Sequence, residues 1–313
     1  NINNSVNFSF KTLKRDSTLY NGFIQDELTL LPDTLKFIIG SKFEHNDFSG
    51  FEIQPNAKLI FTPDKKQTVW ASVSRSVRIP NRLEHDLQLL YLTQVAPGFF
   101  SGGQGNSNLD SEQLISYELG YRIQPMDTLS FDIAAFYNDY DKLATGEMGT
   151  PFLQTTPSPH VVIPIFADNK GSGETYGVEL VAQWQALNWW RFQGSYSYLQ
   201  MQLHSDAGSN VILPAKPEGE SPHHQFSIRS SMDLLDDVHL DTTVRYVDNL
   251  PYQNIASYTE MDINLAWVPI KNLELSVVGQ NLLDSQHGEF NSSTFSTPME
   301  VQRGFYGKVS FSY

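Results

Sequence analysis

Almost every stretch of this chain alternates apolar with polar residues, and successive stretches are joined first by a short link, then by a long one. A period of two sends successive side chains to opposite faces of a β-strand. Such segments lie at about 4–11, 17–30, 34–46, 51–63, 67–79, 113–124, 128–142, 172–186, 189–204, 222–234, 238–249, 257–269, 273–283 and 300–313. In 128–142 the apolar set is Leu129, Phe131, Ile133, Ala135 and Tyr137; in 172–186 it is Tyr176, Val178, Leu180, Ala182 and Trp184. In 257–269 it is Met261, Ile263, Leu265 and Trp267. The last segment sets Phe305, Val309, Phe311 and Tyr313 against Tyr306, Lys308, Ser310 and Ser312, so it ends on an aromatic residue in register with its apolar face.

The links constrain the fold more than the strands do. Short turns sit at Leu31-Pro32-Asp33, Asp64-Lys65-Lys66, Pro125-Met126-Asp127, Leu187-Asn188, Leu235-Asp236-Asp237 and Ile270-Lys271-Asn272. Longer links at 80–112, 143–171, 205–221 and 284–299 fall between them. Short turns at one end and long loops at the other are the pattern of an antiparallel transmembrane β-barrel. A soluble sandwich has no reason to send every second connection to one end. Counting back from a periplasmic C-terminus puts every short turn on the periplasmic side. Trp189 and Trp190 then stand at a periplasmic strand start, where interfacial aromatics belong; the rival reading is a tryptophan pair in a soluble core.

Composition narrows the function classes. The 21 Lys+Arg against 35 Asp+Glu give a formal −14, which argues against nucleic acid as a partner. No cysteine is present, which excludes a disulfide framework and a thiolate metal site. No apolar run reaches the roughly 18 residues of a transmembrane helix, as expected where lipid-facing residues alternate with lumen-facing ones. Asn1 opens no signal peptide, so an exported chain has either lost one or begins inside a larger protein. No Gly-x-Ser-x-Gly, no His-Glu-x-x-His and no converging carboxylate pair supports catalysis.

Several stretches together resemble the barrel of TonB-dependent outer-membrane receptors, from about residue 17 onward. Val69-Trp70-Ala71-Ser72-Val73-Ser74-Arg75-Ser76-Val77-Arg78-Ile79-Pro80 is similar to a family strand that reads aromatic-Ala-Ser-x-Ser-Arg-x-x-Arg-x-Pro before a long loop. Asn106-Ser107-Asn108-Leu109-Asp110-Ser111-Glu112 and Tyr117-Glu118-Leu119-Gly120 resemble the family's Asn-Pro-Asn-Leu-x-Pro-Glu and Tyr-Glu-Leu-Gly, with Ser107 and Ser111 in place of the prolines. Gly177-Val178-Glu179-Leu180, Gly279-Gln280-Asn281-Leu282-Leu283-Asp284 and Arg303-Gly304-Phe305-Tyr306 match further landmarks. The resemblance implies an all-β barrel of about 22 strands filled by an N-terminal plug. Residues 1–313 would then be its C-terminal portion, with about 14 of those strands and no plug. It also implies an outer-membrane location, a small extracellular ligand such as a ferric siderophore or related metal chelate, and energy from the TonB complex acting through the plug. No cofactor is implied.

The resemblance implies that charged residues at positions such as Arg75, Arg78, Glu118 and Arg122 line the barrel wall and face the plug; the rival is an ordinary polar lining. Tyr91, Phe99, Phe100, Phe152 and Phe166, with His160, lie in the long links and are the candidates for the mouth of a ligand vestibule, unless they pack the loops together. Adjacent His223 and His224 point to opposite faces of a strand, so they do not share a metal ion, and no other metal set is marked. Two alternatives remain: a passive porin-like channel, complete at about 14 strands, and a soluble sandwich adhesin whose apolar faces pack inward.

Overall fold

The computed structural model describes residues 9–88, 93–155, 158–210, 217–291 and 298–312. Its strands are β1 (Leu19–Leu31), β2 (Leu35–Asn46), β3 (Gly50–Asp64), β4 (Gln67–Arg78), β5 (Thr93–Ala96), β6 (Phe99–Gln104), β7 (Glu112–Met126), β8 (Leu129–Met148), β9 (Phe152–Gln154), β10 (His160–Leu187), β11 (Trp190–Ser205), β12 (His224–Leu235), β13 (Val238–Val247), β14 (Tyr258–Ile270), β15 (Leu273–Gln280), β16 (Gln286–Phe290), β17 (Met299–Gln302) and β18 (Gly304–Phe311). One short helix, α1 (Arg82–Asp86), follows β4. Among the described residues the main sheet has 16 strands, of which 13 form a continuous path, β1-β2-β3-β4-β7-β8-β10-β11-β12-β13-β14-β15-β18, every step of it antiparallel. Each strand on this path overlaps a segment expected from the alternation, but β8 runs on to Met148 and β10 starts at His160, so much of the expected 143–171 link is strand. Most of the expected segment 4–11 lies outside the described residues; Phe10 forms only an isolated bridge to Leu87.

The registers make one face continuous from end to end. Leu28 opposes Phe37, which opposes Leu59, then Ala71, Leu119, Ala135, Val178 and Tyr198 in turn. Farther along, Ile228 opposes Val244, Met232 opposes Leu240, and Leu240 leads through Leu265 and Val277. These side chains are exposed although apolar: Phe43 39%, Leu119 57%, Val277 63% and Val309 71%. A buried core does not look like this; a lipid-facing wall does, because hydrocarbon takes the place of protein.

Aromatic residues bound that band. At the short-turn end Trp184 stacks on Phe192 at 5.7 Å and Trp189 on Trp190 at 5.7 Å. The indole N–H of Trp190 donates to Ser230 Oγ, and that of Trp267 to Asp237 Oδ2. At the other end lie Tyr117, Tyr137, Tyr176 and Tyr198, with His224 packed on Tyr198 at 5.1 Å. Indole and phenol rings with an apolar body and a polar tip suit a membrane–water boundary. From Trp184 to Tyr176 is about 26 Å along a strand, or roughly 20 Å along the normal at a tilt of about 40°. This spans most of the roughly 25 Å apolar band of such barrels.

The six short turns share one device. Each is flanked by a register shift: Thr29/Leu31, Phe61/Asp64, Ile123/Met126, Gln185/Leu187, Asp233/Leu235 and Trp267/Ile270. A bulge adds a residue on one strand and sharpens the twist where the chain reverses. The β2–β3 link at the opposite end is also tight. Asn46 Oδ1 accepts from the backbone N–H of Phe48 and Ser49, an Asx-type turn. The other links at that end carry additional structure that the alternation did not predict. β5 pairs with β6, β6 runs parallel to β10 over 161–166, β9 pairs with the start of β10, and β16 with β17.

Candidate functional site

The inner face of β4, β7 and β8 joins stretches that are distant in sequence. Trp70 opposes Gly120, and a Cβ on Gly120 would lie 2.2 Å from the indole ring, so only glycine lets the ring lie flat there. Lys58 Nζ sits 4.2 Å above the same ring, a cation–π contact. Ser72 Oγ donates to Glu118 at 2.9 Å, and Arg122 Nε donates to Asp132 at 2.7 Å. Glu118 and Arg122 therefore line the inner wall, each with a partner.

Arg78 closes the top of this wall. Its guanidinium meets Glu112 at 2.6 Å and Glu84 at 2.9 Å, joining β4, β7 and α1. Glu112 also accepts the Ala144 N–H, which ties in β8. The start of α1 is fixed by a capping box, with Asn81 Oδ1 accepting from Leu83 and Glu84, and Glu84 accepting from the Asn81 N–H. Arg78 is thus a joint between wall and loop.

Arg75 belongs elsewhere. It shares its rung with Ile115, on the face of exposed Val73, Ile115 and Tyr117, which corrects its expected place in the lumen lining. Strand parity sets that face, since Arg75 alternates with Val73 while Arg78 falls with Trp70 and Ser72; Pro55, at the end of the ladder, has no N–H to give. The β3–β4 ladder stops at Asn56–Ser74, and the strands part. Arg75 turns into that seam, donates to the Ile53 carbonyl and lies 3.8 Å from Glu52.

The loop aromatics divide. Phe99, Phe152 and Phe166 are 44%, 46% and 37% exposed. Phe100 and His160 are not: they are 6% and 3% exposed and meet edge to face at 5.2 Å. His160 Nδ1 donates to the Ser158 carbonyl. These two pack the β6–β10 sheet together and do not form a mouth, which corrects the expectation for them. Tyr91 lies outside the described residues. His223 and His224 are separated as expected: His223 Nδ1 donates to the Leu199 carbonyl, while His224 meets the hydroxyl of Tyr196.

Residues 9–18 run over α1 as a strap. Arg15 reaches the nearly buried Asp86 at 2.9 Å, beside His85 Nδ1 at 2.7 Å from the same carboxylate. Burial favours the protonated Asp86, but the hydrogen bonds from His85 and Arg15 outweigh it and hold the carboxyl below its ordinary range.

A second cluster forms where β13 and β14 meet β16, on the inner face. Arg245 reaches Glu260 at 2.8 Å and Glu289 at 3.1 Å. His287 stacks on Tyr258 at 4.1 Å, with Nε2 3.4 Å from Glu289 and 3.9 Å from Glu260. The Tyr258 hydroxyl donates to Glu289 Oε1 at 3.1 Å. Asn281, 1% exposed and at φ 50°, anchors the back of the cluster: its N–H donates to Asp262 and its Nδ2 faces His287 Nδ1 at 3.2 Å and the Val301 carbonyl at 3.2 Å. Arg303 Nε donates to the carbonyls of Asn281 and Asp284, so the Asn281-Leu282-Leu283-Asp284 and Arg303-Gly304 stretches meet. The sequence carried a signal for this cluster: His287 and Glu289 stand two apart on one strand face.

Nearer the short turns, a polar cavity of about 580 Å³ opens along the inner wall, lined by Gln124, Gln183, Arg191, Gln193, Arg229 and Asp241 among others. Such a lining suits water or another polar surface.

The model of a family described as "TonB dependent receptor-like, beta-barrel" matches residues 1–282. The chain is 25% identical over 236 residues to the iron-regulated outer membrane virulence protein of Vibrio cholerae serotype O1, covering 74% of this chain and 34% of that protein. Among solved structures it is similar to the siderophore receptor PirA from Acinetobacter baumannii, with a TM-score of 0.72, 15% identity, and coverage of 96% of this chain and 47% of that one. The copper transporter OprC matches at a TM-score of 0.66 and 15% identity, over 95% of this chain and 50% of that one. The chain thus spans about a third of the curated relative's length and about half of the solved structures'.

Proposed function

The chain belongs to the TonB-dependent receptor family, and from that membership we propose that it is part of a barrel that takes up a scarce extracellular ligand with energy delivered by the TonB complex. The observation that carries this reading is the wall itself. Its outer face is apolar between aromatic girdles, and its inner face is polar and charged, with Glu118, Arg122 and Asp132 turned to the lumen. The location is the outer membrane.

A ferric siderophore or related metal chelate is the ligand class we favour, on the strength of the iron-regulated relative and the siderophore receptor of like fold. The exposed Phe99, Phe152 and Phe166 are proposed to offer apolar contact to such a ligand. Among the described residues β1 and β18 do not pair with each other. An open edge leaves rows of backbone groups unpaired, which hydrocarbon does not tolerate. This supports a larger barrel, of about 22 strands around a plug, over a passive channel complete at about 14. A second reading, free metal ions as cargo, is favoured by the copper transporter of similar fold.

The test is growth of a strain lacking the gene, under iron limitation, on a panel of ferric chelates with and without the restored full-length gene. Restoration by one chelate class names the ligand. Restoration by none, with copper accumulation lost instead, moves the reading to metal ions.

A further inference from the structure

We propose that Glu260, His287 and Glu289 form a site for a divalent transition-metal ion of the zinc class, and that the guanidinium of Arg245 holds the place of that ion until it binds. One ligand atom from each of the three residues lies within 4.8 Å of the others. A zinc ion about 2.1 Å from each donor needs donors roughly 3.4 Å apart in a tetrahedral arrangement. His287 Nε2 is already 3.4 Å from one carboxylate oxygen and 3.9 Å from the other. One imidazole and two carboxylates suit zinc and its neighbours, and leave a coordination position for water.

The surroundings resemble a built site more than a surface cluster. The His287 side chain is 7% exposed, and its ring is fixed by stacking on Tyr258 and by Asn281 at Nδ1. A ligating histidine commonly gives its second ring N–H to an acceptor, which fixes the tautomer. Asn281 carries such an acceptor: its Oδ1 is buried without a hydrogen-bond partner. If its amide turns over, Oδ1 takes the Nδ1 proton of His287 and leaves the Nε2 lone pair for the metal. The turn costs the Nδ2 bond to the Val301 carbonyl. Binding therefore moves a proton from Nε2 to Nδ1 without charging the ring.

Arg245 marks where the charge is wanted. It bridges both carboxylates, one on β14 of the wall and one on β16 of the loop hairpin. Two carboxylates and one guanidinium leave a net negative charge at the cluster. A dication in place of the guanidinium would supply more charge at shorter range and staple the hairpin to the wall.

The test uses the full-length protein in detergent, freed of metal with a chelator. Cobalt(II) serves as the spectroscopic probe and zinc as the competitor. The wild type should show a ligand-field band that zinc abolishes. His287→Gln and Glu289→Gln should each weaken zinc binding by at least about tenfold. Arg245→Gln should tighten it severalfold, because it removes the competing cation; a merely structural Arg245 would not do this. Should His287→Gln fail to assemble, Glu289→Gln on the hairpin still decides. Zinc affinity unchanged in Glu289→Gln, or unimproved in Arg245→Gln, would overturn the site.

Discussion

Leu180 and Val181 are neighbours on β10 and make a matched pair for testing which face meets lipid. Leu180 lies four residues from Trp184 and four from Tyr176, hence about 10 Å from each girdle along the membrane normal, near the middle of the band. It opposes Ile133 on β8 and Tyr196 on β11. Val181 points the other way, opposes Asp132, and lines an inner groove with Glu179 and Arg122. Leu180→Arg should cost about 2–4 kcal/mol, the penalty for a cation on the lipid face at the midplane. At a factor of ten per 1.4 kcal/mol, that lowers the folded-to-unfolded ratio by about 30- to 700-fold. Val181→Arg places the same side chain beside two carboxylates in a wet lumen and should cost less than about 1 kcal/mol. The assay is the yield of trypsin-resistant barrel when full-length protein is refolded into lipid vesicles across a urea series. Equal losses for the two variants, or a larger loss for Val181→Arg, would refute the facing.

Three further outcomes follow from local geometry. Gly177→Ala puts a Cβ 2.1 Å from the Tyr198 carbonyl, a backbone atom that moves only by disturbing the β10–β11 ladder, whereas a Cβ on Gly194 meets nothing closer than 3.9 Å. Alanine at 177 should therefore lower the urea midpoint by the equivalent of about 1–3 kcal/mol and alanine at 194 should not. Arg75→Leu strands the Ile53 carbonyl at the seam and should cost about 1–3 kcal/mol, with faster amide exchange in β3 around residues 52–55. Because the Asp86 carboxyl is held below its ordinary value of about 3.9, its contribution is present above that pH and lost as pH falls through the lower, folded-state value. The strap at 9–18 should become protease-sensitive in that acid window, while Asp86→Asn should be sensitive already at pH 7.

The wall was legible because its rule is local. The outer sets Leu129 to Tyr137, Tyr176 to Trp184 and Met261 to Trp267 repeat every second residue, and the registers carry that parity across the sheet. Arg75 was misplaced because its motif was read as a unit, while parity assigns Arg75 to one face and Arg78 to the other. Pro55 gave a further clue, since proline within a strand marks an interrupted ladder. The loop strands were not legible: β6 exists through its parallel pairing with β10, some sixty residues later, and nothing in Phe99–Gln104 announces that partner. Burial of Phe100 and His160 follows from the same pairing. By contrast α1 could have been found from Asn81-x-x-Glu84, a capping box visible in the sequence.

Energised uptake is tested most directly by the entry of labelled ligand into intact cells. Cells carrying the full-length gene are given the ferric chelate that supports their growth, with and without a protonophore that collapses the inner-membrane potential. Surface binding should survive the protonophore while accumulation stops, and accumulation should saturate with ligand concentration. Entry that continues in de-energised cells and rises in proportion to concentration would contradict energised uptake and identify a passive channel.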